Sequence, residues 1–413
     1  DEVHGSSPSI RRRVNEIILS AIRRDVFEIH IEHTQSHSLV RFRQSDGLKA
    51  VFTSPLEEHG AIVECIKLLA EMNTNSINPS MGTINYSRGY EVFSFKVDCV
   101  PTIFGERLCL IRSRVWHAAE PLLGLDELGM EQSVLDRFQK LSQQEGGAII
   151  LTGPKGCGKR TTLLATLNEL HSDELNIVSD NFSFSRDGFN QLSMSHRFSP
   201  SRGEICNRSF ARRQDVDLFV VDFNNCADIA EALRTAAGGF NVFAFLGYEN
   251  PFQVLDYLQL KIPRWEHWLL ADSLKAIVSQ RLLALPCQHC KEEYAPDKDL
   301  LKQFSIDKDY IERLQLDMTM KDLRFVKAVG CDECEKNGNS SSGYEERPTG
   351  VFEVLFPSKE LTRLYGLRDH HRAIRQTAIK SGHLTLRDAA MRKALLGQTT
   401  LEQVASVTIH WFY

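Results

Sequence analysis

Residues Gly147–Leu163 read GAIILTGPKGCGKRTTL, which is a short apolar run, then a glycine-rich loop, then a helical sequence. The apolar run suits a buried strand, and the loop glycines let the backbone turn its amides toward a phosphate: Gly153, Gly156 and Gly158. Lys159 adds a positive charge at the start of the helix. The stretch therefore predicts a phosphate-binding loop within a nucleotide-binding α/β domain.

One position of this loop departs from the pattern. The residue after the lysine is normally Ser or Thr, because its hydroxyl ligates the magnesium that bridges the last two phosphates, and here it is Arg160. A guanidinium has no lone pair to offer a metal. Thr161 follows at once and is kept as a candidate nucleotide contact, although a shift of one residue on a helix turns the side chain by about 100°. The loop therefore predicts ATP as a ligand, whereas Arg160 argues against the magnesium ion that usually accompanies it.

Composition limits the partners that the chain can have. Lys and Arg total 49 against 54 Asp and Glu, a net charge of -5, which gives no electrostatic reason to expect nucleic acid. No run approaches the roughly 18 apolar residues that cross a bilayer, so we expect a soluble protein with no direct membrane insertion. Because the sequence starts at Asp1, we expect a trimmed or processed product.

The order of apolar patterns predicts α/β regions followed by a helical one. Residues 10–115 read as a small α/β domain with a mixed sheet, and 116–145 as a connector with one helix. Alternating strands and helices in 146–280 predict a doubly wound nucleotide-binding core with parallel strands. Residues 281–413 combine a cysteine region with helices.

Four cysteines form two CxxC pairs: Cys287, Cys290, Cys331 and Cys334. Two such pairs suit a tetrahedral zinc with four thiolate ligands, and a long intervening loop adds little entropic cost. His289 lies inside the first pair, but four thiolates already close the coordination shell, so the zinc would be structural. The competing interpretation is four unrelated buried cysteines.

The segments around these pairs complete a resemblance to the ATPases that assemble type IV pili and drive type II secretion. IVSQRLLALPCQHC leads to the first pair and GYEERPTGVFEVL follows the second, while FEIHIE, RFRQSDG, PTIFGER and RRQDVDLFVV match upstream. The similarity covers about 14–404 and does not include the further N-terminal docking domain of many assembly ATPases. It implies a small N-terminal domain, a RecA-like core with a zinc-bearing helical extension, a hexameric ring, and partners among inner-membrane platform and cytoplasmic docking proteins.

The chain departs from this family at its catalytic positions. The family's Glu-Asp-Pro box reads Ser-Asp-Asn at 179–181, which retains only Asp180. Counting without gaps puts Phe223 where the family has its second glutamate, whereas a moved gap would place Asp222 there. The family's histidine box corresponds to 246–250 and contains no histidine. Asp180 and Asp222 are therefore the remaining candidate catalytic residues, in a degenerate set.

Basic residues of the first domain are a further expectation from the resemblance. Family members carry arginines from this domain across a subunit boundary to the triphosphate, and the nearest candidates here are Arg107, Arg112 and Arg114. The competing interpretation is a solvated strand face, which commonly carries single basic residues.

Three functions remain open on the sequence, and whether the chain is an enzyme is the question that separates them. We favour an ATPase-like protein that binds nucleotide but is hydrolytically impaired, acting in or on a pilus or secretion motor, as a homo-oligomer or in a mixed ring with an active paralogue. The second is an active hexameric motor. The third is a zinc-stabilised scaffold without nucleotide, which the retained glycines and lysine disfavour.

Overall fold

The computed structural model describes residues 7–24, 26, 28–44, 47–75, 78–88, 91–113, 123–170, 175–180, 191–194, 213–223, 229–332, 334, 343–345, 347–357 and 371–408. The described residues up to 113 form one compact unit, and those from 123 onward form another. Among the helices described, none is both long and apolar enough to cross a membrane.

The first unit contains a six-stranded sheet and two helices. The helices are α1 (Pro8–Arg23) and α2 (Leu56–Leu69), and the strands are β1 (Glu28–His33), β2 (Ser38–Gln44), β3 (Gly47–Ser54), β4 (Ser80–Arg88), β5 (Glu91–Thr102) and β6 (Gly105–Ser113). The strand order is β3-β2-β1-β6-β5-β4, and every described pair is antiparallel. The sequence predicted a mixed sheet here. The pairing is antiparallel because short connections join β2 to β3, β4 to β5 and β5 to β6 as hairpins.

The core of the first unit follows from strand alternation. Ile29 and Ile31 are fully buried in an apolar cluster with residues of α1 and α2, whereas His30 between them lies on the other face. Helix α1 begins at Pro8, where a missing backbone N–H costs nothing, and the Ser7 hydroxyl accepts from the amide of Ile10. The amphipathic helix then buries its apolar stripe on the sheet.

The second unit is built on a seven-stranded mixed sheet. Its strands are β7 (Gly147–Thr152), β8 (Ile177–Asp180), β9 (Gln191–Met194), β10 (Leu218–Asp222), β11 (Asn241–Leu246), β12 (Leu274–Leu283) and β15 (Thr349–Leu355). The order is β15-β12-β7-β11-β10-β8-β9, with all pairs parallel except β12 with β15. The predicted α/β class is confirmed, and the parallel strands carry their carboxyl ends to the edge where the glycine-rich loop begins.

Helices flank this sheet and continue into the C-terminal region. They are α3 (Gln132–Ser142), α4 (Lys159–Glu169), α5 (Ile229–Ala237), α6 (Pro251–Lys261) and α7 (Trp268–Ser273), with short 3-10 turns at Asp126–Leu128 and Arg264–Glu266. The C-terminal region adds β13 (Lys291–Tyr294), β14 (Phe325–Ala328), α8 (Lys298–Gln303), α9 (Lys308–Arg313), α10 (His371–Lys380), α11 (Leu386–Leu395) and α12 (Leu401–Thr408). The described part of the predicted helical extension is thus helical around a small two-stranded ribbon.

Substitution of Phe219 tests the description of the core of the second unit. Its side chain is fully buried in β10, inside the cluster formed by the central strands and their helices. Truncation of a buried Phe leaves a cavity and costs about 3–5 kcal/mol. We expect Phe219→Ala to lower the denaturation midpoint of this unit strongly in a chemical unfolding experiment. Val329→Ala, at a half-exposed position of the same unit, should shift it little, and equal shifts would contradict this description of the core.

Candidate nucleotide site and cysteine cluster

The glycine-rich loop joins the end of β7 to the start of α4, as its sequence predicts. Its three glycines adopt positive φ angles, +138° at Gly153, +82° at Gly156 and +93° at Gly158. At Gly153 space is also closed, because a Cβ there would lie 2.7 Å from the carbonyl oxygen of Gln280 and 2.6 Å from Sγ of Cys157. The loop therefore needs glycine at this position for two independent reasons, conformation and contact.

Lys159 lies at the first position of α4 and points back over the loop. Its ammonium donates to the carbonyl oxygens of Gly153 at 2.6 Å and Pro154 at 2.9 Å. Burial lowers the pKa of Lys159, and the Cys157 thiol and the Asp222 carboxylate oppose that shift. The lysine is thus held at the loop by acceptors that phosphate oxygens could replace.

Arg160 and Asp222 bring opposite charges to the same end of the sheet. Arg160 is exposed on the first turn of α4, and Asp222 is the last residue of β10. Partial burial of its guanidinium lowers the pKa of Arg160, and the charge of Asp222 opposes this. Phe223, by contrast, is fully buried in the apolar core. Of the two residues that the sequence left open, it is Asp222 whose charge acts on the loop.

Two residues that received no role from the sequence support the loop from β12. The Gln280 side chain, 1% exposed, accepts from the hydroxyl of Thr162 at 3.0 Å and donates to the carbonyl of Cys157 at 2.9 Å. Arg281 follows it, and its Nη1 would lie 3.1 Å from a Cβ at Gly153. Both residues belong to the segment IVSQRLLALPCQHC that carries part of the family resemblance. No rule of sequence spacing, however, predicts that this strand contacts the glycine-rich loop. Thr161, the candidate nucleotide contact, is half-buried on the first turn of α4.

The segments that correspond to the family's Glu-Asp-Pro and histidine boxes begin at the ends of two strands. The first begins at the end of β8, next to β10, and the second at the end of β11, between β7 and β10. Asp180 is the last residue of β8 and pairs with Met194, while its side chain and Asn181 are outside the described residues. Ser179 is fully buried. In the former histidine box, the amide of Tyr248 donates to Oγ1 of Thr152 at 3.0 Å. This box is therefore tied to the end of β7 through its backbone.

The predicted arginines of the first domain lie on opposite faces of their sheet. Arg107 contacts Glu32 at 3.0 Å and Nδ1 of His30 at 3.1 Å on the polar face. Arg112, 8% exposed, is five residues further along β6 and so on the face that carries the buried leucines of this strand. Arg114 is outside the described residues. These arginines belong to the first unit and the phosphate loop to the second.

The four predicted zinc ligands converge in the C-terminal region. The sulfur atoms of Cys287, Cys290, Cys331 and Cys334 all lie within 4.8 Å of one another. Cys334 Sγ is 3.6 Å from Cys290 Sγ and 3.5 Å from Cys331 Sγ. Zinc–sulfur bonds near 2.3 Å in a tetrahedron separate the sulfurs by about 3.8 Å. The donor set and its spacing therefore fit a structural zinc.

A short ribbon brings the two cysteine pairs together. Strands β13 and β14 pair antiparallel, with Lys291 opposite Ala328, so the residues just before β13 meet those just after β14. The amide of Cys287 also donates to the carbonyl of Gly343 at 2.9 Å. The cysteines are thus placed by backbone pairing as well as by any metal that they hold.

Comparison with known proteins agrees with the resemblance found in the sequence. The sequence profile of a family described as "Type II/IV secretion system protein" matches residues 3–406. The "Type IV pilus assembly ATPase PilB" of Pseudomonas aeruginosa is 28% identical over 403 residues, which cover 96% of this chain and 67% of that protein. The "Type II secretion system ATPase E" of Vibrio cholerae is 29% identical over 409 residues, with coverages of 97% and 75%.

Solved structures of similar shape support the fold. The pilus retraction motor PilT with bound ADP has a TM-score of 0.58 at 16% identity, covering 95% of this chain and 96% of that one. The ATPase DotB of Legionella pneumophila has a TM-score of 0.60 at 12% identity, covering 99% and 98%. At these identities the likeness concerns the fold alone, and it confirms the RecA-like architecture.

The cysteine cluster generates a direct prediction. We expect the purified protein to carry one zinc ion, measured by mass spectrometry of metals, and Cys331→Ser to reduce the zinc content and lower the melting temperature, because a three-thiolate shell is incomplete. His289→Ala is the matched control and should keep its zinc. Unmodified protein that takes up no zinc after reconstitution would remove the metal assignment.

Proposed function

The chain belongs to the Type II/IV secretion system protein family, and from this we propose that it binds a nucleoside triphosphate, hydrolyses it poorly or not at all, and acts in or on a type II secretion or type IV pilus assembly motor. The observation that carries the proposal is an intact framework of loop glycines and Lys159 next to Arg160. The framework is the part that holds phosphates, and the arginine stands at the position for a metal ligand.

The phosphate-holding parts are supported by their surroundings. Gln280 fastens both the loop and α4 to β12, so the loop amides have a defined direction before any ligand arrives. Lys159 and Arg281 add positive charge on two sides of Gly153. Positive charge and oriented amides at the start of a helix are what a polyphosphate requires.

The parts that position metal and water are changed. Phosphate-loop enzymes hold magnesium through a hydroxyl at the position after the lysine, and here that position is Arg160, which cannot ligate a cation. Ser179 is buried where the family has a glutamate, and Phe223 is buried in the core. Removal of one electrostatic contributor to such a site costs about 100- to 1,000-fold in rate. Several losses together support a strongly impaired enzyme.

Arg160 suggests how nucleotide is held without the usual metal. Its guanidinium is on the first turn of α4, next to Lys159, and the charge of Asp222 acts on both. A permanent cation there offsets part of the phosphate charge that magnesium would offset. Asp222 in turn keeps two adjacent cations from destabilising the loop.

One observation favours the alternative of an active hexameric ATPase. Asp222 ends β10 and its carboxylate acts on the two cations of the phosphate site. A carboxylate near the terminal phosphate could orient a water or a metal. Asp180 at the end of β8 would then be its neighbour on the sheet edge, since β8 and β10 are paired.

The remaining parts of the proposal concern assembly and location. We propose a hexamer, or a mixed ring with an active paralogue, because Arg107 would then meet a triphosphate of the adjacent subunit. The protein would work in the cytoplasm, beside the inner membrane, with platform and docking proteins of its pilus or secretion system. The proposal also divides the chain into a small N-terminal domain at 10–115, a connector at 116–145, a RecA-like core at 146–280 and a zinc-bearing helical region at 281–413.

The catalytic prediction is tested by measuring ATP affinity and phosphate release on the same preparations. We expect ATP to bind with little dependence on magnesium and to turn over near background. Lys159→Ala should abolish binding, and Arg160→Ser should make binding depend on magnesium, because a hydroxyl returns to the metal position. Lys155→Ala removes the same charge from the same loop and should weaken binding less.

Two outcomes would contradict this assignment. Phosphate release by the unmodified protein at about 1 per second or faster, abolished by Lys159→Ala, would support the active motor instead. The absence of ATP binding in every variant would leave a scaffold stabilised by the cysteine cluster.

Assembly is tested by light scattering of the purified protein with and without ATP. We expect a six-membered species whose population rises with ATP and falls in Arg107→Ala, since that arginine would bridge subunits through the ligand. The control Arg43→Ala removes another half-exposed arginine from the same polar sheet face. A strict monomer in all conditions, with no binding to an active paralogue, would contradict the ring.

A further inference from the structure

A cavity in the second unit is lined by more positively than negatively charged side chains. It has a volume of about 370 Å³ and lies between α3, the end of β15, and helices α10 and α11. Cavities of about 300–1,000 Å³ are the usual size of small-molecule sites. We call it the Lys393 cavity, after the lysine in its wall. No residue of the glycine-rich loop is among the described residues that line this cavity, so the two sites are separate.

The lysine of this cavity is a buried cation. Lys393 on α11 is 7% exposed and lines the cavity. Burial lowers its pKa, and the carboxylate of Glu131 opposes that shift. A buried ammonium is costly unless acceptors and negative charge surround it, and its three N–H donors can bind the oxygen atoms of an anionic ligand.

Glu131 cannot neutralise the site by itself, because a second cation uses it. Arg392 places Nη2 3.3 Å from the Glu131 carboxylate and donates from Nη1 to the carbonyl of Leu314 at 2.6 Å. The Nε of Arg392 is buried and has no hydrogen-bond partner among the described residues. Two cations therefore share one carboxylate inside the cavity, with donors left over.

The opposite side of the cavity combines a third cation with aromatic surface. Arg137 on α3 is exposed, and its guanidinium carbon lies 4.1 Å from the centroid of the Phe356 ring. Phe352, 7% exposed, adds a second ring to the lining. His383 also lines the cavity, but its Nε2 is 2.9 Å from a carboxylate oxygen of the buried Glu353, so its hydrogen bond is already made.

We propose that the Lys393 cavity binds a small organic oxyanion, with its phosphate or carboxylate group at Lys393 and Arg392 and its apolar ring or chain against Phe352 and Phe356. Three cations face one carboxylate here, so an anion is the species that balances the charge. The aromatic wall requires that the ligand also carry an apolar part. The neighbouring cavity of about 560 Å³, which Lys393 also lines, carries Asp126 and Glu127 besides Glu131 and is less suited to an anion.

The experiment is a calorimetric titration of the full chain carrying Lys159→Ala, so that the glycine-rich loop does not contribute. The probe is phenyl phosphate, compared with inorganic phosphate, benzoate and phenol. We expect phenyl phosphate to bind one to one and more tightly than inorganic phosphate or phenol, because only it supplies both the anion and the ring. Comparison with benzoate decides between a phosphate and a carboxylate ligand.

Two substitutions locate the binding site. Lys393→Met should weaken phenyl phosphate binding about tenfold or more, the factor expected for one charged hydrogen bond. Because a buried position can affect folding, Arg137→Glu tests the exposed side of the same cavity and should also weaken binding. The matched control Lys140→Glu makes the same charge change on the same helix, outside the described cavity lining, and should bind as before.

Three results would overturn the proposal. The first is no binding of phenyl phosphate to the Lys159→Ala protein. The second is binding that Arg137→Glu leaves unchanged in a folded protein. The third is an equal loss in Lys140→Glu, which would indicate a general charge effect. None of these results depends on whether the glycine-rich loop binds ATP.

Discussion

The buried side chain of Gln280 connects the glycine-rich loop to the rest of its unit. It accepts from Thr162 on α4 and donates to the carbonyl of Cys157 in the loop, while its backbone belongs to β12. A buried amide that satisfies both neighbours has one stable orientation, since either hydrogen bond lost inside the protein would leave a polar group without a partner. One side chain therefore ties the loop and the helix to the strand.

Strand β12, which carries Gln280, also connects the glycine-rich loop to the C-terminal region. It pairs in parallel with β7 on one side and antiparallel with β15 on the other, and it runs directly toward Cys287. Glu353 of β15, fully buried, then accepts from the amide of Leu386 at the start of α11. The cysteine cluster and the helix that carries Lys393 are thus attached to the same sheet as the phosphate loop. Both places are therefore built on elements that share this sheet.

Electrostatics distinguishes the chain from a standard phosphate-loop enzyme. At the loop, Arg160 adds a fixed cation where a hydroxyl would recruit a divalent metal, and Asp222 is the carboxylate that offsets it. A fixed cation can help to bind phosphate, but it cannot follow the charge that develops during transfer or orient a water as a metal does. The proposed function rests on this difference: an arginine at this position is compatible with phosphate binding and unsuited to metal-assisted transfer.

The sequence by itself determined the local features of this protein. The β7–loop–α4 unit and the two CxxC pairs depend on residues close in the chain, where glycine conformation, helix spacing and thiol spacing act directly. Only the tertiary structure showed that Phe223 is buried in the core and that the charge of Asp222 acts on Lys159 and Arg160, because the direction of a side chain at a strand end depends on which face the neighbouring elements cover. It also showed that Gln280 supports the loop and that Lys393 lies buried beside Glu131, although these partners are far apart in sequence. Burial and charge pairing are properties of packed surfaces, and no local pattern encodes which surfaces meet.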